Sequence, residues 1–230
     1  MTTLVLLPGL DGTGKLFQPF IRELPPDWRV IVVAYPADAR LGYDDLTALA
    51  LSAAPAEGPL VLLGESFSGP IAIRMAVALG ARVQALILCC PFARNPRPRL
   101  AWLGALAGVL PPPAVLPSAL PVHALLGAHA PQESRTLLSQ ALAELPAAVL
   151  RARLKAVMKV DVVRQLAQLR PPVLYLQASG DVIVPGLAAS DLREVLPALR
   201  VVRLAGSHGL LQSAPKAAAA AVLSFLAPER

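Results

Sequence analysis

Six short apolar runs punctuate the chain: Thr3–Leu7, Arg29–Val33, Pro59–Leu63, Ala85–Cys90, Pro172–Gln177 and Arg200–Leu204. Each is continuous rather than alternating, the pattern of a strand buried on both faces of a parallel sheet. Between them lie segments with apolar positions at helical spacing: Lys15–Leu24, Asp44–Ala53, Phe67–Leu79, Ala188–Leu196 and Pro215–Leu226. This order of strand and helix predicts an α/β fold with a doubly wound, mainly parallel sheet. Right-handed crossovers then put helices on both faces.

The alternation stops between about Pro91 and Arg170. Proline is dense from Pro91 to Pro121, and helical spacing resumes at Gln132–Ala143 and Pro146–Gln168. Such a stretch is too long for a plain loop. It predicts a helical cap at 92–169, inserted into a core made of 1–91 and 170–230 and lying over the strand ends. The cap is rich in Leu, Ala, Val and Pro and is expected to wall an apolar pocket. Trp102 and Leu103, with Asp11 before the first helix, are the candidate substrate contacts.

Three strand ends carry residues with chemistry. After the third run comes Gly64-Glu65-Ser66-Phe67-Ser68-Gly69. A sharp strand-to-helix turn would project Ser66 above the sheet as a nucleophile, with small neighbours making room. The competing reading is a serine that caps a helix. After the fifth run stands Asp181, as a turn residue or the acid of a triad. After the sixth stands His208 in Gly206-Ser207-His208-Gly209, as a surface loop residue or a general base. Each signal is weak by itself. Together they follow separate strands in the order Ser, acid, His, the chain order of one triad architecture.

The first run leads into Leu7-Pro8-Gly9-Leu10-Asp11-Gly12-Thr13-Gly14-Lys15. Its glycines permit close approach of backbone to a ligand. It is not a phosphate cradle, because Leu16 stands where a P-loop needs Ser or Thr. Acyl-transfer chemistry needs two backbone N–H groups aimed at a developing oxyanion. Leu10 in this loop and Phe67 after the nucleophile are the candidates.

These segments resemble the α/β-hydrolase superfamily over nearly the whole chain outside the insertion. LPGLDGTG is similar to the LPG(L/I)DGTG signature of phytyl-ester-synthase-like plant acyltransferases and their bacterial hydrolase relatives. Pro8 stands where many other members carry the histidine of an HG loop. GESFSG is similar to their GES(F/L)GG, with Ser68 in place of a glycine. SGDVIVP and GSHG resemble the superfamily's acid and histidine loops. The resemblance implies an α/β-hydrolase fold with a helical cap. The plant acyltransferases carry a further region absent here, which favours hydrolysis over acyl transfer.

Composition narrows the partners. Apolar residues make up 55% of the 230 and charged residues 16%, so a disordered chain is excluded. Aromatics at 4% argue against a base-stacking nucleic-acid surface. The net charge of +6 comes from dispersed arginines, and the one cluster, Arg94, Arg97 and Arg99, is expected to be a solvated loop. The only cysteines, Cys89 and Cys90, are adjacent. On a strand they would point to opposite faces, so neither a disulfide framework nor a metal-ligand spacing is present. Pro8 and Gly9 interrupt any apolar leader, and no apolar stretch is long enough to span a bilayer. A cytoplasmic protein is expected, acting on a small, apolar acyl ester without metal or organic cofactor. Acyl transfer to a lipid alcohol and a weakly active ligand-binding module are the alternatives. The sequence does not indicate an oligomeric state.

Overall fold

The computed structural model describes residues 2–98, 119–128 and 130–227. Six strands form one sheet: β1 (Thr3–Leu7), β2 (Arg29–Val32), β3 (Leu60–Glu65), β4 (Val83–Cys89), β5 (Val173–Ala178) and β6 (Arg200–Leu204). Their order is β2-β1-β3-β4-β5-β6, and every pairing is parallel. The strands therefore match the six apolar runs to within two residues at each end.

The absence of alternation now has a geometric cause. Val5, Leu62, Leu86, Leu88 and Tyr175 face one buried cluster, while Leu4, Leu6, Leu63, Ile87 and Leu176 face another on the opposite side. Both faces are apolar because both are covered. Helices α2 (Tyr43–Ala53) and α3 (Gly69–Leu79) contribute to the first cluster. The single turn α1 (Gln18–Ile21) contributes to the second. Gly42 caps α2, its N–H donating to the Asp45 carboxylate at 2.8 Å, and Asp44 and Asp45 offset the helix dipole in the first turn.

Among the described residues, four helices fall between β4 and β5: α4 (Ala119–Leu126), α5 (Gln132–Glu144), α6 (Ala147–Lys159) and α7 (Val163–Leu166). After β5 come α8 (Leu187–Val195), and after β6 α9 (Leu210–Ser213) and α10 (Pro215–Leu226). Val122, Leu126, Leu138 and Ala141 enclose Leu16 in a third apolar cluster over the loop after β1. Trp102, Leu103 and Arg99 lie outside the described residues.

Two helical patterns are broken where the sequence reads as continuous. Lys15–Leu24 becomes a 3-10 turn at Lys15–Phe17 and then α1, with Pro19 in the first turn of α1. Pro146–Gln168 becomes α6 and α7. The break falls at Val160–Val162, where Val162 N–H bonds the Ala93 carbonyl at 2.8 Å and Asp161 pairs with Arg94 in a β-bridge. Val160, Val162 and Leu166 turn inward to the cluster beneath α2 and α3. The helix stops there because these side chains are drawn into the core. Arg94 and Arg97 are exposed, yet each is tied down. Arg94 pairs with Asp191 at 3.2 Å, and Arg97 donates to the carbonyls of Ile183 (2.9 Å) and Val182. Among the described residues no helix is long and apolar enough to cross a membrane.

Candidate active site

The sheet order decides what meets at its C-terminal edge. The chain leaves β1 for β2 on one side and returns to build β3 through β6 on the other. This reversal opens a crevice between the loops after β1 and β3. The loop after β1 is Pro8–Gly14, and the turn after β3 carries Ser66. Asp181 follows β5 and His208 follows β6, so both reach the same rim.

Ser66 sits at φ 48°, a left-handed conformation that a residue with a Cβ rarely adopts. The strained turn lifts its hydroxyl off the sheet. Gly64 allows the turn to close: a Cβ there would lie 2.6 Å from the Ala72 Cβ and 2.8 Å from the Ser68 carbonyl. The turn continues as a 3-10 segment, Ser66–Ser68, before α3 begins at Gly69, so the helix starts two residues later than its apolar spacing predicts.

Ser66 Oγ lies 2.7 Å from His208 Nε2, and His208 Nδ1 lies 2.8 Å from Asp181 Oδ2. The other Asp181 oxygen accepts the N–H groups of Ile183 (2.8 Å) and Val184 (2.9 Å). Burial pushes the Asp181 carboxyl up, but the His208 bond and charge and these two amides outweigh it, and its pKa is lowered. An ionised carboxylate only accepts, so Nδ1 carries the ring proton and Nε2 accepts from the serine hydroxyl. The His208 and Asp181 side chains are 6% and 7% exposed, which protects the pair from competing water. Such a chain can take a proton from Ser66 as its oxygen attacks a carbonyl.

Ser66 and His208 open into a cavity of about 100 Å³. Leu16, Leu126, Leu138 and Leu142 form apolar wall, and Leu10, Asp11 and Glu65 complete the floor. Asp11 is 7% exposed and accepts from Thr13 N–H at 2.8 Å and Thr13 Oγ1 at 2.5 Å. Glu65 is 5% exposed. Desolvation raises its pKa to about 8; the Gln212 hydrogen bond opposes this and the Asp11 charge adds to it.

Arg153 is the contribution of α6. It is 3% exposed, donates from Nη1 to the Leu10 carbonyl (2.8 Å) and from Nη2 to the Pro36 carbonyl (3.0 Å). Its guanidinium also lies 6.0 Å from the centre of the Phe67 ring and 5.9 Å from that of Tyr35. Both residues singled out as oxyanion donors, Leu10 and Phe67, therefore touch one buried cation. Gly12, at φ 71°, makes room for it: a Cβ there would fall 2.4 Å from Nη1.

The structure thus brings Ser66, Asp181, His208, Leu10, Phe67 and Asp11 to one rim. Sequence reading missed Glu65, Ser68, Cys90 and Arg153. Glu65 and Ser68 flank Ser66 and Phe67 and were legible as motif letters, though not as buried groups. Cys90 directly follows β4, the strand between β3 and β5, so only the sheet order places it beside Asp181. Arg153 carried no signal: it is one arginine among several on an amphipathic helix.

The model of the alpha/beta hydrolase family matches residues 4–222. A polyketide synthase, ThaQ of Burkholderia thailandensis, is 30% identical over 96% of this chain, which spans 12% of that protein. A protein named as a carbamate hydrolase, RutD of a Caulobacter species, is 38% identical over 35% of this chain and 31% of its own. The chain therefore spans less than a third of either curated relative. A hydrolase structure from Oleispira antarctica superposes with a TM-score of 0.83 at 17% identity, covering 98% of this chain and 90% of the other. Parallel sheet, strained serine turn and a family match over nearly the full length agree, and the chain belongs to the alpha/beta hydrolase family.

Proposed function

We propose that this chain is a serine hydrolase that cleaves small carboxylic esters through an acyl-enzyme. The observation that carries the reading is the unbroken relay from Ser66 Oγ through His208 to Asp181, at 2.7 and 2.8 Å. His208 takes the serine proton as the oxygen attacks, then returns a proton to the leaving alcohol. Asp181 holds the tautomer and stabilises the imidazolium. The Leu10 and Phe67 N–H groups receive the oxyanion, where one donor contributes about 3 kcal/mol. Water then attacks the acyl-enzyme by the same relay. The small apolar cavity favours a short acyl group, with Asp11 as a polar contact at its floor. The insertion at 92–169 acts as the cap that closes this pocket.

A screen of p-nitrophenyl esters of rising chain length tests the reading, with Ser66→Ala as control. A fluorophosphonate should add one adduct to the intact chain and none to Ser66→Ala. Labelling that persists in the variant removes Ser66 as nucleophile. The partial likeness to a carbamate hydrolase favours a second reading, in which the same relay cleaves a carbamate. Release of ammonia from a simple carbamate, at a kcat/KM above that for the best ester, would select it. Transfer to an added long-chain alcohol is scored in the same product analysis.

A further inference from the structure

We propose that Cys90, Asp181 and His208 form an inhibitory site for a thiophilic divalent cation such as Zn²⁺. Ligand atoms of the three side chains lie within 4.8 Å of one another. The sheet order explains the meeting: β4 lies between β3 and β5, so its end points between Ser66 and Asp181. Cys90 is a free thiol, 1% exposed, and held at φ 47°, the second left-handed residue with a Cβ among the described residues. Its backbone is fixed there by its N–H bond to the Leu176 carbonyl at 2.9 Å. That turn takes Cys90 out of the strand alternation, so its thiol does not oppose that of Cys89 but shares its apolar cluster and hydrogen-bonds to it.

A thiolate, an imidazole and a carboxylate are a ligand set suited to zinc, with bond lengths of about 2.0–2.3 Å and tetrahedral edges of roughly 3.3–3.6 Å. The Asp181–His208 contact of 2.8 Å would open by about half an ångström, and the thiol, within 4.8 Å of both ligand atoms, would close by up to about an ångström.

The tautomer makes the site inhibitory. The nitrogen facing Asp181 is Nδ1. A cation bound there takes the Nδ1 lone pair, and the ring proton moves to Nε2. The thiol releases its proton to solvent as the metal–sulfur bond forms. Nε2 then points an N–H at Ser66 instead of a lone pair, and the base is lost. This consequence rests on Ser66 being the nucleophile; metal binding does not.

The test titrates Cd²⁺ and Zn²⁺ into the chain kept reduced with a phosphine. One equivalent of Cd²⁺ should raise the ultraviolet thiolate-to-cadmium band. Zn²⁺ should lower ester hydrolysis at least tenfold, with full recovery on adding EDTA. Cys90→Ser should lose the band and need at least tenfold more Zn²⁺ to inhibit its own metal-free rate by half. Cys89→Ser should keep both responses. Asp181→Asn, which keeps Cys90, should bind Cd²⁺ at least tenfold more weakly, a readout that remains if Cys90→Ser does not fold. No band in the parent chain, a band lost in Cys89→Ser, or unchanged Zn²⁺ inhibition in Cys90→Ser overturns the site. A band in a chain without esterase activity would instead overturn the ester reading alone.

Discussion

The Ser68 hydroxyl donates to the Pro8 carbonyl oxygen, which ties the turn after β3 to the loop after β1. A carbonyl only accepts, so the Tyr35 hydroxyl, 2.7 Å from Ser68 Oγ, must donate to it. Burial pushes the Tyr35 phenol far above its ordinary pKa, so that donor is always present. Ser68 occupies a place where similar motifs carry glycine, and its hydroxyl fills that space with a bond between the two loops that carry the proposed oxyanion donors.

Ser68→Ala should leave two buried polar groups short of a partner. A loss of about 1–3 kcal/mol in urea unfolding is expected, with a fall in kcat larger than any rise in KM. Unchanged kcat would mean that the tie has no bearing on the Leu10 loop.

Arg153 offers a second handle on the same loop. Arg153→Met keeps much of the apolar stem but leaves the Leu10 and Pro36 carbonyls without their donor. Acting through the proposed Leu10 donor, it should lower kcat by no more than that donor's worth, on the order of 10²-fold. Affinity for a trifluoromethyl ketone, which mimics the tetrahedral adduct, should fall in parallel. Arg153→Lys has one point of attachment instead of a fork and should recover only part of the loss.

Asp181→Asn keeps the shape of the acid and removes its charge. The amide can present an N–H to Nδ1, which favours the wrong tautomer. A loss of about 10⁴-fold in kcat is expected, by analogy with the same change in a serine protease triad. Steady-state kinetics on the best p-nitrophenyl ester measures it, with Ser66→Ala as the floor.

Glu65 predicts how stability depends on pH. Its carboxyl ionises at about 8 when folded, against 4.5 for the ordinary group. Below about 4.5 the group is neutral in both states and contributes no slope. From there to about 8 the unfolded chain releases the proton and the folded chain keeps it. Stability therefore falls by about 1.4 kcal/mol per pH unit, levelling above 8 after about 5 kcal/mol. Glu65→Gln lacks this loss. The variant-minus-parent difference should grow across that window, as measured by urea unfolding at pH 5, 7 and 9. A constant difference would show that Glu65 is ionised in the folded chain throughout.

Much of this was legible before folding. Both-sided burial writes continuous apolar runs, so the six strands and the parallel sheet could be read from β1 to β6. Ser66, Asp181 and His208 each end a strand, and their chain order suggested a common edge. Helix breaks between Phe17 and Gln18 and at Val160–Val162 were less legible, because apolar spacing persists through both.

The sequence alone determined which residues could end up at the strand ends and which could do chemistry there. Tertiary structure decided which of them meet. Parallel pairing in the order β2-β1-β3-β4-β5-β6 sets the end of β4 between the serine and the acid, giving Cys90 its neighbours. Folding of α6 over the first loop buries Arg153 against Leu10 and Phe67. Neither contact leaves a periodic trace in the chain, because each joins residues whose separation is fixed by sheet order and helix docking rather than by local geometry.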